Sequence, residues 1–282
     1  MGRGIAHVAA LSGYEITLYD VDPRALARAE ESIEHLLEQG VARGRVEAEA
    51  AAAARQRLVL DTDLGAAVAD ADLVIEAVPE QLQLKLELFR GLGFHARHDA
   101  LFATNTSALS VTELAAASGR PERFAGMHFF NPVYAMKLLE LVRGLETSNE
   151  TIALLTEVGQ RMGKEVVVVQ DSPGFATSRI NALIGNEAFR MLEQGVASAE
   201  DIDRAIKLGL NHPMGPFEMV DLVGLDVRLS ILEYLHQTLG EAFRPTNLMR
   251  KYVQAGRLGR KVGRGVYEYD ADGRRISKEA AG

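Results

Sequence analysis

Up to about residue 170 the chain alternates short apolar runs with longer helical stretches, and that alternation limits it to few folds. Ile16–Tyr19, Leu58–Leu60, Leu73–Ile75, Leu101–Ala103 and Phe124–Phe130 have the length and character of strands. A strand–helix–strand rhythm of this kind points to parallel βα units, because parallel neighbours need a crossover between them. Pro23, at the place of a first helical turn, opens an Ala-, Glu- and Leu-rich helix to about Gln39. A second helix is expected from Val46 to Arg57. The uninterrupted Val166–Val169 run reads as a strand buried on both faces.

Beyond Gly174 the pattern changes. Phe175 to Glu193, Ala199 to Leu208 and Leu225 to Leu239 carry apolar residues three and four apart, with Asn211 to Pro216 as a breaker. The division expected is an α/β domain over residues 1–171 and an all-helical domain over 172–282, meeting at Asp171-Ser172-Pro173-Gly174. Apolar faces on helices with no sheet to cover often form a dimer surface.

Composition removes several function classes. The chain has 282 residues, enough for two cores, and it has no cysteine. Disulfides, thiolate metal sites and a cysteine nucleophile are therefore excluded. His7, His35, His95, His98 and His236 show no metal-ligand spacing, so no metal is expected. No apolar run approaches the roughly 18 residues that span a bilayer, and the N-terminus resembles neither a signal nor a transit peptide. The default expectation is a cytoplasmic protein. A net charge of −8 without a basic stripe argues against nucleic acid as a partner. It would not attract a polyanionic ligand from afar either, so any phosphate must be held locally.

The first residues are Met1-Gly2-Arg3-Gly4, followed by an apolar helix, and Asp20 closes the next strand 18 positions after Gly2. That is near the roughly 20 residues separating a dinucleotide-binding glycine loop from the acid that holds the ribose hydroxyls. Such an acid repels a 2′-phosphate and so favours NAD over NADP. A complete fingerprint would have a preceding strand and two more glycines, leaving Gly2 to stand for the third. The preceding strand would lie mid-sheet, between the strand ending at Asp20 and Leu73–Ile75. Without it two strand edges are left unpaired, and we expect Met1 to be an internal methionine of the loop.

The segment Gly126-Met127-His128-Phe129-Phe130-Asn131-Pro132, followed by Met136 to Glu140, carries the candidate chemistry. Histidine can exchange a proton near neutrality, and a neighbouring carboxylate fixes its tautomer and strengthens it as a base. Two strands joined through the Asn-Pro turn would set His128 beside Glu140. A core histidine with an unrelated surface glutamate is the alternative reading. Other residues keep bland alternatives too. Ser107 reads from its neighbours as a helix cap near Val111, Asn131 as a turn residue, and Glu80 and Lys85 as solvated charges. His212 reads as structural, and Lys261 as a loop charge or a phosphate contact.

Five motifs in order resemble the 3-hydroxyacyl-CoA dehydrogenase family: Asn105-Thr106-Ser107, His128 to Pro132 with Glu140, Asp171 to Phe175, His212 to Pro216, and Gly263 to Tyr267. The resemblance runs from Gly2 to about Tyr269. It implies an N-terminally truncated Rossmann-like dinucleotide-binding domain and a helical domain forming a homodimer. It also implies NAD-dependent interconversion of a 3-hydroxyacyl-CoA and its 3-oxo form. By position, His128 would be the general base and Glu140 its partner. Ser107 and Asn131 would contact substrate and nicotinamide; Gly2, Asp20, Glu80 and Lys85 would contact cofactor. A helical hairpin touching CoA would fall within residues 23–57. The family usually has asparagine where this chain has Ser178, a shorter substrate contact with one polar atom fewer. A non-catalytic acyl-CoA-binding or structural member of the same fold is the competing reading.

Overall fold

The computed structural model describes residues 1–276, which form two compact units, Met1–Ser172 and a second beginning at Pro173. The first unit runs α1 (Gly2–Leu11), β1 (Ile16–Tyr19), α2 (Pro23–Ala42), α3 (Ala48–Gln56), β2 (Leu58–Asp61), α4 (Leu64–Val68) and β3 (Leu73–Glu76). It continues through α5 (Leu82–His95), β4 (Leu101–Thr104), α6 (Val111–Ala117), β5 (Phe124–Phe129), β6 (Leu138–Arg143), α7 (Asn149–Arg161) and β7 (Glu165–Gln170). Asp22 starts α2 by accepting from the Arg24 amide at 2.9 Å, with Pro23 in the first turn as its fixed φ favours.

The strands make two sheets, β1-β2 and β3-β4-β5-β6-β7. All neighbours are parallel except β5 and β6, where the chain turns back on itself at Asn131-Pro132. β1 and β3 are both edges. Helix α1 serves both sheets: Ile5, Val8 and Ala9 join the core of the larger one with Met127, Leu139 and Leu141. Ala6 and Ala10 pack into a second core with Ile33 and Leu37 of α2 and Ala51 and Ala54 of α3.

One expectation fails at β7. Val167 and Val168 are 48% and 45% exposed, so the strand is not buried on both faces. Among the described residues β7 is the last strand of its sheet and pairs only with β6. Its position in the sheet decides burial, and a β-branched run looks the same in either place.

The second unit is helical: α8 (Thr177–Glu193), α9 (Ala199–Gly209), α10 (Pro216–Val223), α11 (Leu225–Leu239) and α12 (Asn247–Gln254). Phe189, Phe217, Leu225, Leu232, Leu235 and Met249 fill its core. Two buried aspartates hold it together. Asp203 of α9 accepts from the Phe217 and Glu218 amides at 2.8 and 3.1 Å, capping α10, and from the Tyr267 hydroxyl at 2.8 Å. Asp221 accepts from the Val266 and Tyr267 amides at 2.8 and 2.9 Å and from the Tyr269 hydroxyl at 2.9 Å. Burial pushes both carboxyls up from their ordinary range, against the pull of these donors.

These contacts explain two of the motifs. A Cβ on Gly215 would lie 2.3 Å from the Asp203 carboxyl carbon, and one on Gly265 2.0 Å from Asp221 Oδ1. Only glycine leaves the carboxylates room to reach those amides. Among the described residues no helix is long and apolar enough to cross a membrane.

Candidate active site

The first unit gathers its polar side chains where β3, β4 and β5 end. β3 finishes on Glu76, whose carboxylate is buried. Glu76 Oε1 accepts from Lys85 Nζ at 2.6 Å and from the Val78 amide at 2.6 Å, while Oε2 accepts from the Thr104 hydroxyl at 2.6 Å. Lys85 also reaches Glu80 Oε2 at 3.2 Å. Glu80 Oε1 in turn accepts from the Thr106 hydroxyl at 2.5 Å and the Ser107 amide at 2.8 Å. A buried cation is thus shared by two carboxylates that position the 104–107 loop.

Lys85 is 1% exposed, which overturns its reading as a solvated charge. Glu80 is half-exposed but engaged, so that reading fails for it as well. The Ser107 reading also changes. Ser110 caps α6, accepting from the Glu113 amide at 3.2 Å, so the cap does not use the Ser107 hydroxyl. Asp171, at the end of the unit, holds this corner by accepting from Ser110 Oγ at 3.0 Å and the Thr112 amide at 2.8 Å.

Antiparallel pairing of β5 and β6 sets His128 directly opposite Glu140. His128 Nδ1 lies 2.7 Å from Glu140 Oε2, with both side chains buried. The Phe130 ring lies 4.5 Å from the imidazole, centre to centre. A carboxylate at Nδ1 favours the tautomer that donates there, which in the neutral ring leaves the acceptor lone pair on Nε2. Asn105 Oδ1 accepts from the Phe129 amide at 2.9 Å, tying the loop that bears Ser107 to the strand that bears His128. Asn131 follows two residues after Phe129, exposed, at the start of the turn to β6. The structure therefore brings together His128 and Glu140, and separately Glu80, Lys85 and Ser107.

At the other end of α1, Gly2 lies between the two edge strands: a Cβ there would be 3.8 Å from Ala77 and 3.9 Å from Leu18. Asp20 directly follows β1, and its Oδ1 accepts from the Asp22 amide at 3.0 Å. A helix start with glycines at positions 2 and 4 offers amide donors to a pyrophosphate, and a strand-end acid offers an acceptor to ribose hydroxyls. The residues present fit NAD. The α2–α3 hairpin occupies the segment where a CoA contact was expected.

In the second unit Ser178 stands in the first turn of α8. Its neighbours Thr177 and Asn181 line a groove of about 430 Å³ with Ile180, His212, Met214 and Met219. Lys261 is paired with Asp226 at 2.6 Å.

Glu76 and the roles of Thr104, Asn105 and Thr106 were not read from the sequence. An acid closing a wholly apolar strand, with a lysine nine positions on, was the available signal for Glu76 and Lys85.

Residues 1–172 match the description "3-hydroxyacyl-CoA dehydrogenase, NAD binding domain", and residues 174–269 match "3-hydroxyacyl-CoA dehydrogenase, C-terminal domain". The chain belongs to the 3-hydroxyacyl-CoA dehydrogenase family. It is 45% identical to a probable 3-hydroxybutyryl-CoA dehydrogenase of Deinococcus radiodurans, over 95% of this chain and 96% of that protein. It is 44% identical to a 3-hydroxybutyryl-CoA dehydrogenase of Bradyrhizobium diazoefficiens, over 95% and 92%. A crystal structure of (S)-3-hydroxybutyryl-CoA dehydrogenase from Ralstonia eutropha superposes with a TM-score of 0.91 at 39% identity, covering 96% of this chain and 95% of that one. The family's architecture, a Rossmann-like α/β domain followed by a helical one, is the architecture of this chain, and NAD is its cofactor.

Proposed function

We propose that this chain is an NAD-dependent oxidoreductase interconverting short-chain (S)-3-hydroxyacyl-CoA and 3-oxoacyl-CoA, with His128 as general base. The His128–Glu140 pair, 2.7 Å apart and buried, carries the reading. The relatives named as 3-hydroxybutyryl-CoA dehydrogenases support the substrate class.

A bound nicotinamide would supply the hydride acceptor or donor for the substrate's C3. The rest falls to the protein. As the C3–OH becomes a carbonyl its proton must leave, and His128 Nε2 takes it. Glu140 stabilises the imidazolium that results and keeps the ring in the donating tautomer at Nδ1. Ser107 and Asn131 offer fixed dipoles to the substrate oxygen and the nicotinamide, held in place by Glu80 and Asn105. In the cofactor site, Asp20 would hold the ribose hydroxyls and the first turn of α1, from Gly2, would hold the pyrophosphate. Glu80 would lie by the nicotinamide, and Lys85 acts by holding Glu80. The α2–α3 hairpin is the CoA contact, and Ser178 is the substrate contact of the helical unit.

The test is reduction of acetoacetyl-CoA followed by loss of NADH absorbance. Wild type should turn over, and His128→Gln should lower kcat by about two to four orders of magnitude with the fold unchanged. No turnover by wild type would return the chain to the non-catalytic, acyl-CoA-binding alternative. A near-normal His128→Gln rate would remove that residue from its role.

A homodimer through the helical unit is part of the same reading, supported by exposed Ile180, Leu208 and Leu210 on α8, α9 and just beyond. Sedimentation should give twice the chain mass of 30.7 kDa; a single-chain mass at micromolar concentration would contradict it.

A further inference from the structure

The loop between β5 and β6 carries Asn131 and has little regular structure to fix it. Its backbone is nonetheless held at two points. Lys164, buried in the turn from α7 to β7, donates from Nζ to the Val133 carbonyl and, at 2.9 Å, to the Met136 carbonyl. Among the described residues no carboxylate pairs with this ammonium. A buried cation must find compensation, and here two carbonyl dipoles of one loop supply it. Val133 also meets the start of α1. A Cβ on Gly4 would sit 3.0 Å from Val133 Cγ2 and 3.3 Å from Val133 Cβ. The loop is thus seated against both Lys164 and the glycine-bearing first turn of α1.

Both holds bear on the site. α1 begins at the residues that fit the dinucleotide, whereas Lys164 directly precedes β7, which pairs with the strand of Glu140. The Glu165 amide donates to the Lys137 carbonyl at 2.8 Å, so the loop's far end is fixed to the same turn. We infer that Lys164 is a positioning residue for the reaction: with Gly4, it seats the 131–136 loop so that Asn131 keeps its register between His128 and the cofactor helix. The inference rests on the proposed activity, because Asn131 matters only if the reaction takes place.

Lys164→Met keeps the apolar stem and removes every donor, and Lys164→Arg keeps donors at a similar reach. In the acetoacetyl-CoA assay, Lys164→Met should lower kcat about 10- to 100-fold, the scale of a misplaced group rather than a lost base. KM for acetoacetyl-CoA should change far less, the pH profile should keep its shape, and Lys164→Arg should recover most of the rate. Hydrogen exchange gives an arm that does not depend on turnover. The Ala135 and Met136 amides donate to the Pro132 carbonyl at 3.0 and 3.1 Å, and their protection should fall in Lys164→Met. Amides of β6 and α7 should keep theirs.

Wild-type kcat in Lys164→Met would overturn the inference. Unchanged exchange at Ala135 and Met136, or loss of protection throughout the first unit, would do the same. An inactive wild type would instead defeat the functional reading, and the exchange arm would still show whether Lys164 anchors the loop.

Discussion

The two units bury their carboxylates in opposite ways. In the first, Glu76 and Glu140 meet side chains that carry or can take up a proton, Lys85 at 2.6 Å and His128 at 2.7 Å. In the second, among the described residues, Asp203 and Asp221 accept hydrogen bonds only from backbone amides and tyrosine hydroxyls. The second unit also buries a cation, Arg228, on the core face of α11; its Nε finds no acceptor among the described residues. Paired side-chain charges hold a constellation that can exchange a proton, whereas carboxylates satisfied by amides fix chain segments to one another. The first arrangement suits chemistry, the second architecture.

Three substitutions would break or sharpen that contrast. The largest effect is expected for Glu140→Gln, which keeps the shape but removes the charge that stabilises the imidazolium. It should lower kcat about a thousandfold while leaving the melting temperature nearly unaltered. A tenfold loss or less would place Glu140 among the architectural acids. Asp221→Ala strands two amides and a tyrosine hydroxyl at once. It should cost about 3 kcal/mol or more in urea unfolding, with the folded fraction keeping its activity. A cost below about 1 kcal/mol would mean that water replaces the carboxylate easily.

The smallest effect has the opposite sign. Burial lowers the Arg228 pKa to about 10, so the folded state pays to keep this charge. Arg228→Leu should therefore stabilise the protein by about 1–3 kcal/mol at pH 7. A base whose folded pKa lies below its unfolded value carries its full penalty at pH values under the folded pKa. The penalty is relieved as pH rises past it. The advantage of Arg228→Leu should accordingly hold from pH 7 to 9 and shrink above pH 10. A variant less stable than wild type at pH 7 would show that the guanidinium has a partner in solution.

The sequence made some of this visible and hid the rest for physical reasons. Strand and helix patterning marked β1 to β5 and β7 and the helices α2, α3, α8, α9 and α11, because burial of one face leaves its period in the chain, whereas α4, α7 and α10 were not read from it. His128 and Glu140 were legible because an antiparallel turn makes a twelve-residue separation local. The burial of Lys85 and Lys164 was not. A lysine on a helix or in a turn looks solvated until a distant segment closes over it, and no local pattern records that closure. The caps show the same limit at short range: Ser107 and Ser110 are both suited to start α6, and the backbone path chooses Ser110. Asp203 reaches fourteen residues along the chain to cap α10, with Gly215 as the only local trace.

Helix α1 faces two cores, one beneath each sheet, and its first turn is the part that fits the dinucleotide. The β1–β2 layer and the larger sheet are therefore riveted by an element whose own end is a ligand site. Whatever binds that end in the folded state adds its binding free energy to the cohesion of the whole first unit. A filled cofactor site and an intact seam between the sheets should be, thermodynamically, one condition.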